Sequence, residues 1–435
     1  MGSYTLFRRS FLDYLKSNKP IIVMATLYPV AITTSMALME LLCWVWALLG
    51  IIYLALNRKE INFKKEGKDF LKSPELPIVL FIIWGFFTTS FQSNLSKNLS
   101  HHIGPLRIFV LYFLARFTFR SVENLILTKR IIIFFASWGF IQALLQHYFR
   151  FDIAGSKKFH WSVINLGVRG QGFFNSPLTF ANAYLPFVLL AFSFLLIGWG
   201  KTKILEKILL SLFIVLGLWG LVYSGSRYLI YAIPFCILVI IFLKNFWGGV
   251  ISLLVSLLLC FLIIVNSKDI QERLTRASDL KMTSNFQRIQ LLQGYYELIK
   301  ENFFFGVGIN NERYVKKYLK KIFKSGFLTS HAHNHFVHVL GEVGILGFIF
   351  FLWFNALWLF KLFKSFFSSE DLILKSFFAS GIAIFFSFHV AGLTQNTYGD
   401  SEVAYGMFYI MGFLMMLISL PALPNKFVGV IRPLF

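Results

Sequence analysis

The chain has 435 residues, of which 57% are hydrophobic, and a formal net charge of +22. Soluble domains are about 45–50% apolar, so this composition, with a mean hydropathy of +0.67, excludes an ordinary soluble protein. The apolar runs are continuous rather than alternating, which excludes an outer-membrane barrel. The basic charge is typical of the loops that orient membrane proteins, so nucleic acid is not the expected partner.

Apolar runs of about 20 residues, the length that crosses a bilayer, predict an all-α polytopic membrane protein. We expect about twelve spans in one integral membrane domain over residues 1–435. They lie near 20–39, 41–56, 76–93, 103–119, 131–149, 178–198, 207–223, 228–243, 246–265, 336–360, 376–394 and 404–422. Glu40 separates the first two, so we expect a tight hairpin there.

Lys and Arg are distributed unevenly among the short loops. Most of them fall in 1–19, 57–75, 120–130, 199–207 and 361–375. The opposite short loops, near 94–102, 224–227 and 395–403, hold only Lys97 and Arg227. Because cytoplasmic loops carry the excess of Lys and Arg, both termini are predicted to be cytoplasmic.

A large, basic loop at 266–335 is inserted between the ninth and tenth spans, on the non-cytoplasmic side. Its charge favours an anionic ligand. Helical spacing over 285–304 predicts a helix with an apolar stripe of Phe286, Ile289, Leu292, Tyr295, Tyr296 and Ile299. Gly306-Val-Gly308 should end it, and a second helix over 312–323 should expose Lys316, Lys317, Lys320 and Lys321.

Three arginines are candidates for binding a phosphate, which the guanidinium group recognises in a bidentate manner. Arg227 lies in the tight turn Tyr223-Ser-Gly-Ser-Arg227, Arg288 lies on the first loop helix, and Arg169 lies in a glycine-rich loop. For each there is a plainer alternative. Arg227 could extend to lipid headgroups, and the other two could be ordinary exposed arginines.

Four histidines, at His331, His333, His335 and His338, lie where the loop enters the tenth span. Imidazole titrates near neutral pH and can act as a base. The first three could instead bind a metal, although no acid or cysteine is close in sequence. Asn334 is a good helix N-cap, so the ring of His333 is expected at the mouth of the span. Asp400 and Glu402 are rare acids on the same side and could orient a histidine.

His333-Asn334, nine residues and then Gly344-Ile-Leu-Gly347 resemble the His-Asn-x9-Gly-x-x-Gly pattern of the bacterial O-antigen ligases. Further resemblances lie in Phe286-Gln-Arg288 through Gly306-Val-Gly308, in Ser226-Arg227 and in Gly172-Phe-Phe-Asn-Ser-Pro-Leu-Thr-Phe. Together these segments extend from roughly residue 165 to 405. The extra histidines depart from the family pattern, so the acting base stays open among the four.

The resemblance implies an inverting glycosyltransferase of the inner membrane, similar in architecture to the large membrane glycosyltransferases. It would move a preassembled glycan from undecaprenyl pyrophosphate to lipid A-core at the periplasmic face, with no cofactor and no metal. His333 would be the general base, with Arg288 and Arg227 also catalytic. Substrate contacts are expected from Arg169, Asn334, Asp400, Glu402, Lys316 and Lys320.

Two other functions stay open. An O-antigen polymerase would use the same donor but pass the glycan to another lipid-linked chain. A polysaccharide flippase or transporter is a rival of another class. Ionisable residues are scarce deep in the predicted spans, where a transport path would need them, and this favours the enzyme.

Overall fold

A computed structural model describes residues 19–57, 73–92, 107–118, 122–153, 160–161, 168–266, 283–323 and 331–419. This part of the chain is almost entirely helical, which confirms the all-α fold. The helices are α1 Lys19–Thr34, α2 Met36–Leu56, α3 Glu75–Gln92, α4 Arg107–Thr118, α5 Val122–Phe149, α6 Pro177–Leu196, α7 Ile204–Tyr223, α8 Leu229–Lys244, α9 Phe246–Asn266, α10 Thr283–Glu301, α11 Glu312–Phe323, α12 His335–Ser368, α13 Leu372–Gly392 and α14 Ser401–Ser419. Two short strands, β1 His160–Trp161 and β2 Val168–Arg169, pair antiparallel.

Every predicted span overlaps one of these helices. Seven described helices are long and apolar enough to cross a membrane, namely α2, α5, α6, α7, α12, α13 and α14. Among the described residues, α1, α3, α8 and α9 contribute shorter apolar stretches, and α4 has 12 residues. The chain is thus a polytopic helical membrane protein. Its termini, residues 1–18 and 420–435, lie outside the described residues, as do Lys97, residues 58–72 of the loop 57–75 that was predicted to be cytoplasmic, and part of the large loop.

The break between the first two helices was placed wrongly at Glu40. It falls at Ser35, which has an extended backbone and is the N-cap of α2. The side-chain oxygen of Ser35 accepts a hydrogen bond from the Leu38 amide. A serine oxygen satisfies an amide that would otherwise lack a partner in the first turn. Glu40 therefore lies within α2, where it pairs with Arg107 at 2.7 Å.

Because neighbouring spans run antiparallel, the helix ends lie at two opposite faces of the bundle. We name the end that carries the α7–α8 turn the Arg227 face, and the other end the Lys129 face. On the Lys129 face, Lys129 of α5 binds Glu206 of α7 at 2.6 Å, and Arg116 of α4 binds Glu75 of α3 at 2.9 Å. These contacts tie neighbouring helices at the end opposite the candidate site.

A helical cap sits on the Arg227 face. It consists of α10 and α11, which lie at the predicted positions and pack on the start of α12 through a small core of their own. That core contains Leu291, Tyr295, Leu298, Val307, Val315, Tyr318, Leu319 and Ala332. Its hydrophobic packing holds α10, and with it Arg288, against the membrane domain.

The predicted apolar stripe of α10 is only partly buried: Tyr295 is buried, and Ile289 and Ile299 are half-buried. Phe286, Leu292 and Tyr296 are exposed, whereas Leu291 and Leu298 are buried. The helix is apolar on more than one side, so its periodicity does not select the buried face. Gly294 selects it, because a Cβ there would overlap the side chain of Leu319 and lie 2.9 Å from that of Phe323. The glycine lets α11 approach on that side.

Helix α12 is broken at Gly344, which has φ 65° and ψ −173°. The segment after α10 occupies the break. Val307 and Gly308 donate backbone hydrogen bonds to the carbonyls of Gly341 and Glu342 at 3.0 and 2.9 Å, and Ile345 donates to Phe303 at 2.8 Å. The two glycine motifs of the sequence therefore form one joint, in which backbone groups freed by the break find partners.

Gly344→Ala is expected to destabilise the protein by about 1–3 kcal/mol, because this backbone conformation is essentially restricted to glycine. The new Cβ would also overlap the Phe304 carbonyl. Heating detergent-solubilised protein and measuring the folded fraction by gel filtration would test this. Gly406→Ala is the matched control, since a Cβ there meets only ordinary contact, at 3.6 Å from Ile32. Equal stability of both variants would contradict the proposed joint.

Candidate active site

Arg227 lies in the short turn between α7 and α8, as the sequence predicted. Ser224 closes the turn, its hydroxyl donating to the Leu221 carbonyl at 2.7 Å and accepting from the Ser226 amide at 3.3 Å. The Ser226 hydroxyl donates to the carbonyl of Pro177 at the start of α6, at 3.4 Å. The turn is therefore fixed to a third helix, while Arg227 itself is exposed.

Arg169 is held against the same turn. It ends β2, and its Nε donates to the Ser224 carbonyl at 2.6 Å. Gly225 adopts φ 63° beside it, and a Cβ at Gly225 would lie 3.1 Å from the Arg169 Nε. Only a glycine both adopts this conformation readily and leaves room for the arginine.

Arg288, near the start of α10, completes a group of three arginines. Burial and the positive charge of Arg227 lower the pKa of Arg288, and the same two causes lower the pKa of Arg169. Within the described part of the chain, no carboxylate forms an ion pair with any of the three. Arginines that are brought together without a counter-ion raise one another's energy, and an anion would relieve this repulsion.

His333 lies next to this arginine cluster. Burial and the charge of Arg288 lower the pKa of His333, whereas a hydrogen bond from its side chain to Gln395 opposes the shift. Burial and the nearby guanidinium thus favour the neutral form of its imidazole. His333 has φ 49°, and its buried Nδ1 has no hydrogen-bond partner among the described residues.

Asn334 orients the segment as the predicted N-cap of α12. Its side-chain oxygen accepts from the amides of Phe336 and Val337 at 3.0 and 3.1 Å, and its Nδ2 donates to the Leu393 carbonyl at 3.3 Å. These bonds join the start of α12 to the end of its neighbour α13. Asn334 thereby fixes the backbone directly after His333.

The other three histidines point to different surroundings. His331 packs its ring on that of His333, with centroids 4.3 Å apart. His335 is buried, with Nδ1 2.6 Å from the Thr397 hydroxyl and Nε2 3.1 Å from His389 Nδ1. The nitrogens of His338 lie 2.9 Å from the Tyr295 hydroxyl and 3.3 Å from Glu342 Oε1. His335 and His338 therefore have both ring nitrogens engaged.

No group of three or more His, Cys, Asp or Glu side chains is placed to hold a metal ion in the described ranges. His335 turns away from His331 and His333 toward α13, so these three rings do not converge on one point.

Asp400 and Glu402 lie together at the start of α14 on the Arg227 face. Burial and the neighbouring Glu402 raise the pKa of Asp400 to about 7. Its Oδ2 accepts a hydrogen bond from the hydroxyl of Thr179, on α6, at 2.7 Å. Among the described residues, the side chain of this acid thus binds Thr179 and Glu402 rather than a histidine.

Lys316 and Lys320 are not brought to the arginine cluster by any described contact. Both are exposed on α11, on the side away from the buried Val315 and Leu319. The amphipathic pattern of the sequence predicted this exposure correctly. Such a pattern does not identify a ligand for an exposed lysine.

A cavity of about 580 Å³ opens beside the histidines. Its wall includes Gln395, the hydrogen-bond partner of His333, together with His331, His338, Asp400 and Glu402. It also includes Thr179, Asn182, Arg107, Asn310 and Tyr405, which sequence reasoning did not select. Thr179 stands within the segment that resembles the ligases, so that segment was the available signal. Asn182 and Tyr405 lie inside apolar spans.

The architecture and the arginine cluster define a polytopic membrane protein with a cationic site and a neutral imidazole on one face. Residues 212–352 match the family model described as O-antigen ligase, a segment that contains Arg227, Arg288 and His333. The match supports the resemblance to the O-antigen ligases over these residues. This family includes O-antigen ligases and polymerases, so the match supports a function of that general type. No curated protein matches the chain.

Proposed function

We propose that the protein is an O-antigen ligase, which transfers a preassembled polysaccharide from undecaprenyl pyrophosphate to a sugar of lipid A-core. The observation that carries this proposal is the cluster of Arg169, Arg227 and Arg288, without a carboxylate partner among the described residues, next to His333. Such a cluster suits a pyrophosphate, and a neutral imidazole suits the removal of a hydroxyl proton. The Arg227 face is then the periplasmic face of the inner membrane.

In the proposed reaction, the bond between the anomeric carbon of the glycan and a pyrophosphate oxygen breaks. Arg227 and Arg288 stabilise the negative charge that develops on this leaving group. The acceptor hydroxyl attacks the anomeric carbon from the opposite side, so its configuration inverts. The hydroxyl proton passes to His333. Arg169 holds the turn that carries Arg227 and adds positive charge to the pyrophosphate site.

Transfer is expected to continue in EDTA, because in this scheme the arginines supply the positive charge that a metal ion would otherwise provide. The measurement is the initial rate of glycan transfer by purified protein before and after chelation. If chelation lowers the rate strongly and added Mg²⁺ or Mn²⁺ restores it, the reaction requires a metal ion and the proposed mechanism is wrong on this point.

Deleting the gene is expected to leave full-length glycan on the carrier lipid and to remove it from lipopolysaccharide. Gel analysis of lipopolysaccharide, together with mass spectrometry of the carrier-lipid fraction, tests this. A carrier lipid that holds only single repeat units would identify a polymerase instead. Accumulation of the glycan on the cytoplasmic side would identify a transporter. Complementation with the wild-type gene is the control for each outcome.

A further inference from the structure

Five buried or half-buried side chains near the candidate site form a closed network of hydrogen bonds. Thr397 Oγ1 lies 2.6 Å from His335 Nδ1, and His335 Nε2 lies 3.1 Å from His389 Nδ1. His389 Nε2 lies 3.1 Å from Asn355 Oδ1, and the Tyr398 hydroxyl lies 3.3 Å from the same oxygen. Because Thr397 and Tyr398 are consecutive, the contacts return to the segment where they began. We name these five residues the His335–His389 network.

The network connects the two parts of the broken helix α12, the end of α13 and the loop that follows α13. His335 and Asn355 lie on opposite sides of the break in α12. His389 lies on α13, and the loop 393–400 supplies the other two members. A Cβ at Gly392 would overlap the His335 imidazole, so this imidazole packs directly on the backbone at the end of α13. The network therefore ties the loop to both parts of α12.

Asn355 fixes the direction of these hydrogen bonds. Its Nδ2 donates to the Phe351 carbonyl at 2.8 Å, so its side-chain oxygen is the atom that faces His389. His389 Nε2 must then carry the proton that this oxygen accepts, which leaves His389 Nδ1 as the acceptor in a neutral imidazole. His335 Nε2 therefore donates to His389, and His335 Nδ1 accepts from the Thr397 hydroxyl. Both imidazoles carry their proton on Nε2.

This order holds because both imidazoles are neutral. His335 is 0% exposed, and the rings of Phe336, Phe351 and Phe388 surround it. In the described part of the chain, no carboxylate forms an ion pair with His335 or His389. A buried cation without a counter-ion is costly at membrane depth, so neither imidazole carries a second proton.

The loop that the network holds also carries the hydrogen-bond partner of the proposed base. Gln395 binds His333, and it lies two residues before Thr397. Asn334, directly after His333, binds the Leu393 carbonyl at the start of the same loop at 3.3 Å. A displacement of Thr397 would therefore move Gln395, and with it the imidazole of His333.

We propose that His335 and His389 are positioning residues, which hold Gln395 against His333 through one fixed order of protons, both on Nε2. They act through Thr397 and the loop rather than on the substrates, and their effect on transfer rests on the proposed function. In a buried network every member must be paired for the whole to be rigid. With its proton on Nδ1 instead, His389 would set two acceptors against each other at Asn355.

Nitrogen-15 NMR of the full chain in lipid nanodiscs, with labelled histidine, tests the proton order without measuring transfer. His335→Phe and His389→Phe identify the two sets of signals by their loss. Both wild-type imidazoles are expected to show a bare Nδ1 and a protonated Nε2 at neutral pH. His389→Leu removes the acceptor of the His335 Nε2 proton, so His335 should change to the Nδ1-protonated form, which donates to Thr397. A proton on either wild-type Nδ1 would overturn the proposal.

Thr397→Val and Thr397→Ser test the link to transfer. Valine keeps the shape of threonine but lacks the hydroxyl that donates to His335, whereas serine keeps this donor. In folded, purified protein, Thr397→Val is expected to lower kcat about 3–10-fold, the effect of losing one hydrogen bond, with the donor KM unchanged. Thr397→Ser should restore most of this loss. Thr33→Val is the matched control and should keep the wild-type kcat, since the hydroxyl of this buried threonine donates to carbonyls within its own helix, α1.

The two experiments separate the proposal from the function on which it rests. If the wild-type protein transfers glycan and the two Thr397 variants have equal kcat, the network has no positioning role and the ligase function stands. If the spectra show the expected protons but the wild-type protein transfers no glycan, the proton order stands. The ligase function is then wrong, and the role of the network in transfer fails with it.

Discussion

Arg288→Ala is expected to lower the rate of glycan transfer by about 10²–10³-fold, the usual effect of removing one preorganised group that stabilises developing charge. Arg288 is partly buried and lies within the electrostatic reach of Arg227 and His333. Its loss removes positive charge where the leaving pyrophosphate becomes more negative. The measurement is kcat and KM for the lipid-linked donor, with purified protein in lipid nanodiscs.

Two further variants make the test of Arg288 specific. Arg288→Lys keeps the charge but loses the bidentate geometry, so an intermediate rate is expected. Lys317→Ala removes an exposed charge from α11 in the same cap and should leave the rate unchanged. Wild-type kcat and KM in folded Arg288→Ala would remove this arginine from the mechanism.

His333→Ala is expected to lower transfer by about 10²–10⁴-fold, the range for a general base. Among the described residues, the buried Nδ1 of His333 has no hydrogen-bond partner, whereas His335 and His338 have both ring nitrogens engaged. The comparison variant is His338→Gln, which should retain more activity than His333→Ala. The reverse ranking would move the base to His338, which lines the cavity.

The pH profile gives a second readout of the same base. A base acts in its neutral form, and burial with the charge of Arg288 lowers the pKa of His333. The acidic limb of the rate profile should therefore lie below the ordinary imidazole value of about 6.5. Arg288→Gln removes one of the two causes, so the limb of its residual activity should shift to higher pH. An unchanged limb would show that His333 is not the titrating base.

The membrane-spanning part of the fold was predictable because the requirement behind it is local. A backbone in lipid must satisfy its hydrogen bonds within a helix, so long apolar runs have one outcome. The N-cap at Asn334, the helices of the large loop and the Arg227 turn were found for similar reasons. The helix break, wrongly placed at Glu40, and the buried side of α10, which was not predicted, are features for which the sequence offered two local solutions. Packing at Ser35 and Gly294 selected between them.

The amino-acid sequence by itself determined a polytopic helical membrane protein with a large basic loop, and it carried motifs that lie partly within the segment matched by the family model. Only the tertiary structure decided that Arg169, Arg227 and Arg288 form one cluster beside His333. It also decided that Gly306 and Gly344 form one joint, and that Asn182 and Tyr405 line a shared cavity. These residues are tens to hundreds of positions apart, and their meeting depends on how helices pack. Helical periodicity describes one helix at a time and contains no information about its neighbours.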